Sequence, residues 1–192
     1  MSFNTGQQVE LLYSLDTPIT KNTWTTIAAY SGVVGTNTVC AIPAGWAMNM
    51  GVNPKGRALQ LKCMGTIQNT AAATFANAIN LNPTVATSTS NIAIHAAFTP
   101  TAAVTANWVL ETWFTITAFT TSLMTVQCNG QITYSTVASG GVVTTAASQA
   151  LFSGTWSLDP RVTQYLELFG TWSASSASNQ TVVQQMLLSG LN

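Results

Sequence analysis

The stretch Arg57-Ala-Leu-Gln-Leu-Lys-Cys-Met-Gly-Thr-Ile67 decides the fold of this chain. Apolar and polar side chains alternate through it with a period of two, which is the pattern of a β-strand that buries one face and exposes the other. The residues of the apolar face are Leu59, Leu61, Cys63 and Ile67, and those of the opposite face are Gln60, Lys62, Met64 and Thr66. We therefore predict a half-buried strand here.

Short β-like runs continue along most of the chain, separated by connections rich in Gly, Pro, Ser, Thr and Asn. The alanines of Ala71–Leu81 leave a helix open as an alternative for that segment, but no long helical periodicity occurs elsewhere. The remaining candidate strands are Val9–Leu15, Trp24–Tyr30, Thr38–Ile42, Thr74–Leu81, Asn91–Phe98, Asn107–Thr117, Ala150–Trp156, Val162–Trp172 and Thr181–Leu188.

This pattern predicts a single all-β domain, a jelly-roll β-sandwich of about eight to ten antiparallel strands. Residues 1–22 are expected to form an N-terminal arm or a first strand, and residues 23–192 the sandwich. A tight hairpin is predicted at Asn129-Gly130, because this dipeptide lies between the β-prone runs Leu123–Cys128 and Gln131–Val137.

Charge is scarce in this protein. Its 192 residues include 5 basic residues (Lys and Arg together) and 5 acidic residues (Asp and Glu together), so the formal net charge is +0. Only 5% of the residues are charged, whereas roughly a quarter are charged in ordinary soluble domains. Because little repulsion keeps neutral copies apart, this composition suits a protein that packs into an assembly. Binding to nucleic acid or to an anionic membrane needs a basic patch, so we expect neither.

The three cysteines, Cys40, Cys63 and Cys128, form no CxxC pair, and His95 is the only histidine. This spacing does not fit a zinc site, and we expect reduced core thiols with no metal and no cofactor. No apolar run reaches the roughly 18–20 residues that span a bilayer. The first residues lack the features of a signal peptide, so we expect assembly in the cytoplasm.

Two candidate strands carry large apolar side chains on both faces. In Asn107–Thr117, Trp113 lies opposite the core-facing side, and in Val162–Trp172 the same holds for Tyr165 and Phe169. A large aromatic side chain hides about 150–250 Å² when it is buried. We therefore expect these three residues to form a subunit interface, with an arm or loop of the same chain covering them as the alternative.

Catalytic chemistry has few candidates. His95 lies in a strand-like segment, and we expect a structural or interface role for it. Glu111 and Glu167 each share a strand face with an aromatic residue. One interpretation is a sugar site, in which the aromatic residue is a platform and the acids act on the sugar. The interpretation that we favour is that each acid is paired with a basic residue, for which Arg57, Lys62 and Arg161 are available.

Two further motifs are weak. Gly140-Gly141 is a lone glycine pair in a Ser/Val loop, which is typical of a flexible turn rather than of a phosphate-binding loop. Lys55 and Arg57 flank Gly56 in a predicted turn, and two cations are too few for a nucleic-acid site. We therefore expect that the protein is not an enzyme.

Three stretches, in their order along the chain, resemble a known family. They are Ile42–Trp46 leading into Gly56–Ile67, the long strand Asn107–Thr117, and Trp172–Asn179 before a final apolar strand. Together they resemble the jelly-roll structural proteins of tailed-phage virions, in particular the trimeric cement or decoration proteins of the outer capsid surface. Related sequences also occur in tail and fibre proteins, and none of the stretches carries a catalytic signature.

The resemblance implies a non-enzymatic virion protein, assembled in the host cytoplasm, that forms a homotrimer and clamps neighbouring subunits of the major capsid protein. The alternative is a carbohydrate- or receptor-binding head of a phage tail or fibre. In that case one of three tryptophans, Trp46, Trp113 or Trp156, would stack on sugar.

Overall fold

The described part of the chain consists of β-strands and their connections and contains no helix. The computed structural model describes residues 9–14, 19–22, 28–29, 39–47, 58–68, 73–84, 93–94, 97–100, 105–136, 148–174, 176 and 179–191. Within these residues there are twelve strands, β1 (Val9–Ser14), β2 (Ile19–Asn22), β3 (Ala28–Ala29), β4 (Val39–Ile42), β5 (Ala58–Gln68), β6 (Phe75–Asn82), β7 (Ala93–Ile94), β8 (Thr105–Phe119), β9 (Met124–Thr136), β10 (Ser148–Leu158), β11 (Gln164–Trp172) and β12 (Gln180–Leu191).

The strands form two antiparallel sheets. The larger sheet has seven strands in the order β1-β12-β5-β8-β9-β10, with β2 also paired to β12. The smaller sheet has five strands in the order β3-β11-β6-β7, with β4 also paired to β11. The all-β prediction is thus confirmed, and the segment with an open helical alternative is strand β6. The particular jelly-roll connectivity stays a prediction.

The N-terminal segment expected to be an arm or a first strand contains β1 and β2. β1 pairs with the C-terminal half of β12, and β2 pairs with its N-terminal half. Both strands therefore lie along the same edge of the seven-stranded sheet. No helix in the described residues is long and apolar enough to cross a membrane.

One hydrophobic core lies between the two sheets and includes residues from both. The alternation predicted for β5 is confirmed, because its buried and half-buried residues alternate along all eleven positions. β8 follows the same pattern, with Trp108, Leu110 and Phe114 buried in the core and Trp113 on the opposite face. Thus β5 and β8 each turn one face inward and the other outward.

The strands β6 and β11 at the centre of the smaller sheet are buried on both faces. Their inward face includes Phe75 and Trp172, whose ring centroids are 4.9 Å apart. Their outward face includes Glu167 and Phe169, which are 0% and 2% exposed. Two-sided burial explains why neither strand shows a clean alternation of apolar and polar residues.

A close approach between β5, β8 and β12 fixes the centre of the seven-stranded sheet. Gly65 is paired with Trp108 on one side and with Val183 on the other. A Cβ atom at Gly65 would overlap the backbone carbonyl oxygen of Val182 and would come within 2.9 Å of the Trp108 ring. The Trp108 indole Nε1–H donates to the carbonyl oxygen of Thr66 at 3.2 Å. The indole therefore fills the space that glycine leaves.

The predicted hairpin at Asn129-Gly130 is wrong. Both residues lie inside the continuous strand β9, where Gly130 is paired with Thr112 on one side and Phe152 on the other. The chain instead reverses at residues 120–123, where the backbone N–H of Thr120 donates to the carbonyl oxygen of Leu123 at 2.7 Å. The pairing of β9 with β8 on one side and with β10 on the other outweighs the local turn preference of the Asn-Gly dipeptide.

We predict that Gly65→Ala lowers the free energy of unfolding by more than about 2 kcal/mol, because backbone atoms must move to admit the methyl group. The measurement is chemical denaturation followed by tryptophan fluorescence. Thr66→Ala is the matched control, since the side chain of Thr66 is half-buried and only its main-chain carbonyl binds Trp108. Equal stability of Gly65→Ala and the wild type would contradict the packing described for this glycine.

Candidate binding surface

The outward face of the seven-stranded sheet is the best candidate for a functional surface. It is formed mainly by alternate residues of β5, β8, β9 and β10, whose other residues enter the core. Most of its side chains carry hydroxyl or amide groups. They include Gln60, Thr66, Asn107, Thr115, Gln127, Asn129, Gln131, Ser153, Thr155 and Ser157.

Trp113 lies at the centre of this face and is 38% exposed. Strand pairing places Gln60 of β5 directly beside it on one side and Asn129 of β9 on the other. The row continues to Ser189 of β12 and Ser153 of β10. It crosses five strands, a distance of about 19 Å at the usual spacing between neighbouring strands. We call these five residues the Trp113 row.

One ion pair lies next to the Trp113 row. Lys62 Nζ is 2.9 Å from Glu111 Oε1, and the two side chains are 43% and 27% exposed. The two residues are direct cross-strand partners. The structure thus supports the interpretation of Glu111 as a paired acid, with Lys62 as the base.

The other two tryptophans considered for sugar stacking are placed differently. Trp156 is 4% exposed, and its ring centroid is 6.0 Å from that of Phe114. Trp46 is half-buried in the turn after β4 and packs against the core. Among these three candidates, only Trp113 presents its ring as an exposed side chain.

The three residues expected at a subunit interface do not share one surface. Trp113 lies on the outward face of the seven-stranded sheet, whereas Tyr165 and Phe169 lie on the outward face of the five-stranded sheet. Phe169 is 2% exposed within the single chain, and Tyr165 is half-buried. Phe169 is therefore not available for an external contact, and Trp113 is the most exposed of the three.

Glu111 and Glu167, the two acids considered for a sugar site, do not form a catalytic pair. Glu111 and Glu167 face outward from different sheets, and Glu167 is 0% exposed. Asp159 accepts hydrogen bonds from Arg161, and these bonds lower the pKa of Asp159 to about 2.

No group of residues suited to a metal ion is present in the described ranges. His95, Lys55, Arg57 and Gly140-Gly141 lie outside the described residues.

Two cavities in the described structure are small. One is an apolar space of about 20 Å³ whose lining includes Ile42, Trp46 and Phe114, which is enough for about one water molecule. The other is an open groove of about 210 Å³ beside Thr74 and Ser173, below the usual ligand-pocket range of about 300–1,000 Å³. Neither cavity is as well suited to a large ligand as the exposed sheet face.

The cysteines Cys40, Cys63 and Cys128 are all buried and free. Burial raises the pKa of Cys128 to about 12 and raises the pKa values of the other two thiols as well. Since the thiolate is the reactive form, all three thiols are held in an unreactive state. The prediction of reduced core cysteines is consistent with this burial.

The sequence pattern predicts that Trp113 faces outward, but it gives no sign that its polar neighbours belong to a site. The alternation of β5 marks Gln60 only as polar, and the Asn-Gly dipeptide predicts a turn at Asn129. A binding role for these residues depends on which strands are adjacent, because β5 and β8 are separated by more than thirty residues along the chain. No local motif carries that information.

No protein-family model matches the sequence, and no curated protein matches it. Among solved structures, the chain is similar to the CBM2 module of the evolved Dit of Lactobacillus casei BL23 phage J-1. The TM-score is 0.37 at 13% sequence identity, and the match covers 97% of each chain. At this level the similarity supports no conclusion about function.

We predict that the native protein reacts negligibly with a thiol reagent at about pH 8, because burial keeps its thiols protonated. After unfolding in guanidinium without reductant, three thiols should react, one for each free cysteine. The control is Leu123→Cys, which places a thiol at a position that is 50% exposed and should react at once. Rapid reaction of the native wild type, or fewer than three thiols after unfolding, would contradict this account.

Proposed function

We propose that this chain is a non-enzymatic virion protein of a tailed phage that binds carbohydrate through the outward face of its seven-stranded sheet. The single observation that carries the proposal is the exposed Trp113 with an amide side chain beside it on each neighbouring strand. The proposal corresponds to a binding head of a tail or fibre.

The indole of Trp113 supplies the apolar part of such a site. The C–H-rich face of a sugar ring packs well against an aromatic ring, because both surfaces are apolar and the contact releases water. A tryptophan that is 38% exposed keeps enough free area for this contact while its strand remains fixed in the sheet.

The amides and hydroxyls of the Trp113 row supply the polar part. Gln60 and Asn129 each offer an amide donor and acceptor, and directly opposite residues on neighbouring strands have Cβ atoms about 4.5–5.5 Å apart. Sugar hydroxyls are both donors and acceptors, so mixed amide and hydroxyl partners match them without a formal charge. A row that crosses five strands favours an extended glycan over a single monosaccharide.

The absence of catalysis is part of the proposal. Hydrolysis of a glycosidic bond uses two carboxyl groups roughly 5–9.5 Å apart. In the described residues, Glu111 pairs with Lys62 on one sheet, and Glu167 is buried on the other. This arrangement favours binding without cleavage.

The virion assignment is supported by the resemblance of three stretches to phage structural proteins and by the scarcity of charge. The resemblance also favours a second candidate function, a cement or decoration protein that forms a homotrimer on the outer capsid surface and contacts the major capsid protein. In that case Trp113 would be buried against another subunit rather than against sugar.

We predict that Trp113→Ala weakens glycan binding by about tenfold or more, because it removes the stacking surface. Trp113→Phe should retain part of the affinity, since a smaller aromatic ring remains. The measurement is binding of the purified protein to a glycan array, followed by titration calorimetry with each glycan that binds.

Leu123→Ala is the matched control, because Leu123 is a second exposed apolar side chain and lies in the turn away from the Trp113 row. It should bind like the wild type. Thermal melting should show that every variant is folded. Equal glycan binding by Trp113→Ala and the wild type would contradict the assignment of this surface.

The two candidate functions differ in oligomeric state. The cement function predicts a stable trimer at micromolar concentration that Trp113→Ala weakens, whereas the glycan-binding surface requires Trp113 to be free of subunit contacts. Light scattering on wild type and variant measures this. A trimer lost in Trp113→Ala, together with no glycan binding, would favour the cement protein and contradict the carbohydrate-binding head.

A further inference from the structure

We propose that Glu111, by compensating the charge of Lys62, keeps the Trp113 face selective for uncharged glycans. This inference rests on the proposed carbohydrate-binding function and extends it to the class of ligand. It assigns to Lys62 and Glu111 a role in specificity, next to the stacking role of Trp113.

The first observation is the distribution of charge over this face. The strands β5, β8, β9 and β10 contain one lysine and one glutamate between them and no arginine or aspartate. These two charges are Lys62 and Glu111, and they lie 2.9 Å apart. The part of the face that these four strands form therefore presents no net charge to a ligand.

The second observation is the position of the pair. Glu111 precedes Trp113 by two residues on β8, so both side chains leave the same face of the strand about 7 Å apart along it. On the antiparallel strand β5, Lys62 follows Gln60 by two residues and so shares its face. A glycan that follows the Trp113 row across the strands would therefore have the ion pair beside it, in the next row about 7 Å away.

The pair can bind neutral sugar without attracting acidic sugar. Lys62 Nζ carries three donors and the Glu111 carboxylate carries acceptors, and both side chains keep part of their surface in solvent. Hydrogen bonds to a charged group are stronger than those between neutral groups. Because the Lys62 charge is compensated by Glu111, a uronate, sialate or phosphate gains little attraction and meets the Glu111 carboxylate as a like charge.

Charge variants of the pair test this proposal. Glu111→Gln removes the compensation and leaves Lys62 as a free cation on the face, so binding to acidic glycans should rise by about threefold to tenfold. That gain should disappear when salt is raised from about 0.1 M to about 1 M, which shortens the Debye length from about 10 Å to about 3 Å. Lys62→Gln should give no such gain.

The double variant Lys62→Gln/Glu111→Gln is the matched control, because it restores zero net charge without the ion pair. It should again prefer neutral glycans. All variants and the wild type are compared on an array of neutral oligosaccharides and of oligosaccharides that carry uronate, sialate or phosphate groups. Thermal melting confirms folding of these surface variants.

The outcomes separate this inference from the proposed function. Wild-type preference for neutral glycans, with a salt-sensitive gain for acidic glycans only in Glu111→Gln, supports the inference. If wild type binds glycans through Trp113 but already prefers acidic ones, or if Glu111→Gln leaves the neutral-to-acidic ratio unchanged, the inference is wrong and the proposed function stands. If wild type binds no glycan, or if Trp113→Ala does not weaken binding, both are wrong.

Discussion

The register between β5 and β8 is the constraint on which the rest of the structure depends. The two strands pair over eleven consecutive residues without a bulge, from Ala58 opposite Thr115 to Gln68 opposite Thr105. A shift of one residue in either strand would exchange its buried and outward side chains. Packing of the Trp108 indole against Gly65, and its hydrogen bond to the carbonyl oxygen of Thr66, oppose such a shift. The register between β5 and β8 therefore determines both which side chains form the core and which form the outer face.

The same register assembles the proposed binding surface. Because Leu59 and Phe114 must both enter the core, the adjacent residues on the two strands, Gln60 and Trp113, must face outward. The surface is thus built on the strands that contain much of the core, and its side chains have fixed neighbours. A ligand that stacked on Trp113 would meet polar residues whose backbone positions strand pairing already fixes, so that only their side chains would need ordering on binding. Stability and the proposed recognition of carbohydrate thus depend on the same strand pair.

The sequence contains the orientation of individual strands but not their neighbours. The alternation around Leu61 predicted β5 and its buried face, and the outward direction of Trp113 followed from the same reasoning. Local preference failed at Asn129-Gly130, because pairing of β9 with both β8 and β10 keeps this dipeptide extended. The alternation pattern also could not distinguish Phe169 from Trp113. The folded chain buries Phe169 but leaves Trp113 exposed. The composition of the Trp113 row depends on strand order, which joins residues far apart in the sequence and has no local signal.

The most direct test of the central claim is a map of chemical shifts in the isotope-labelled protein during titration with a soluble oligosaccharide selected from the array. The account predicts that the indole N–H of Trp113 and the side-chain amides of Gln60 and Asn129 shift together and saturate at one dissociation constant. The indole signals of Trp108 and Trp172, which are 1% exposed, should stay in place. Shifts confined to the groove beside Thr74 and Ser173, with the Trp113 indole unchanged, would contradict the claim that the outward face of the seven-stranded sheet is the binding surface.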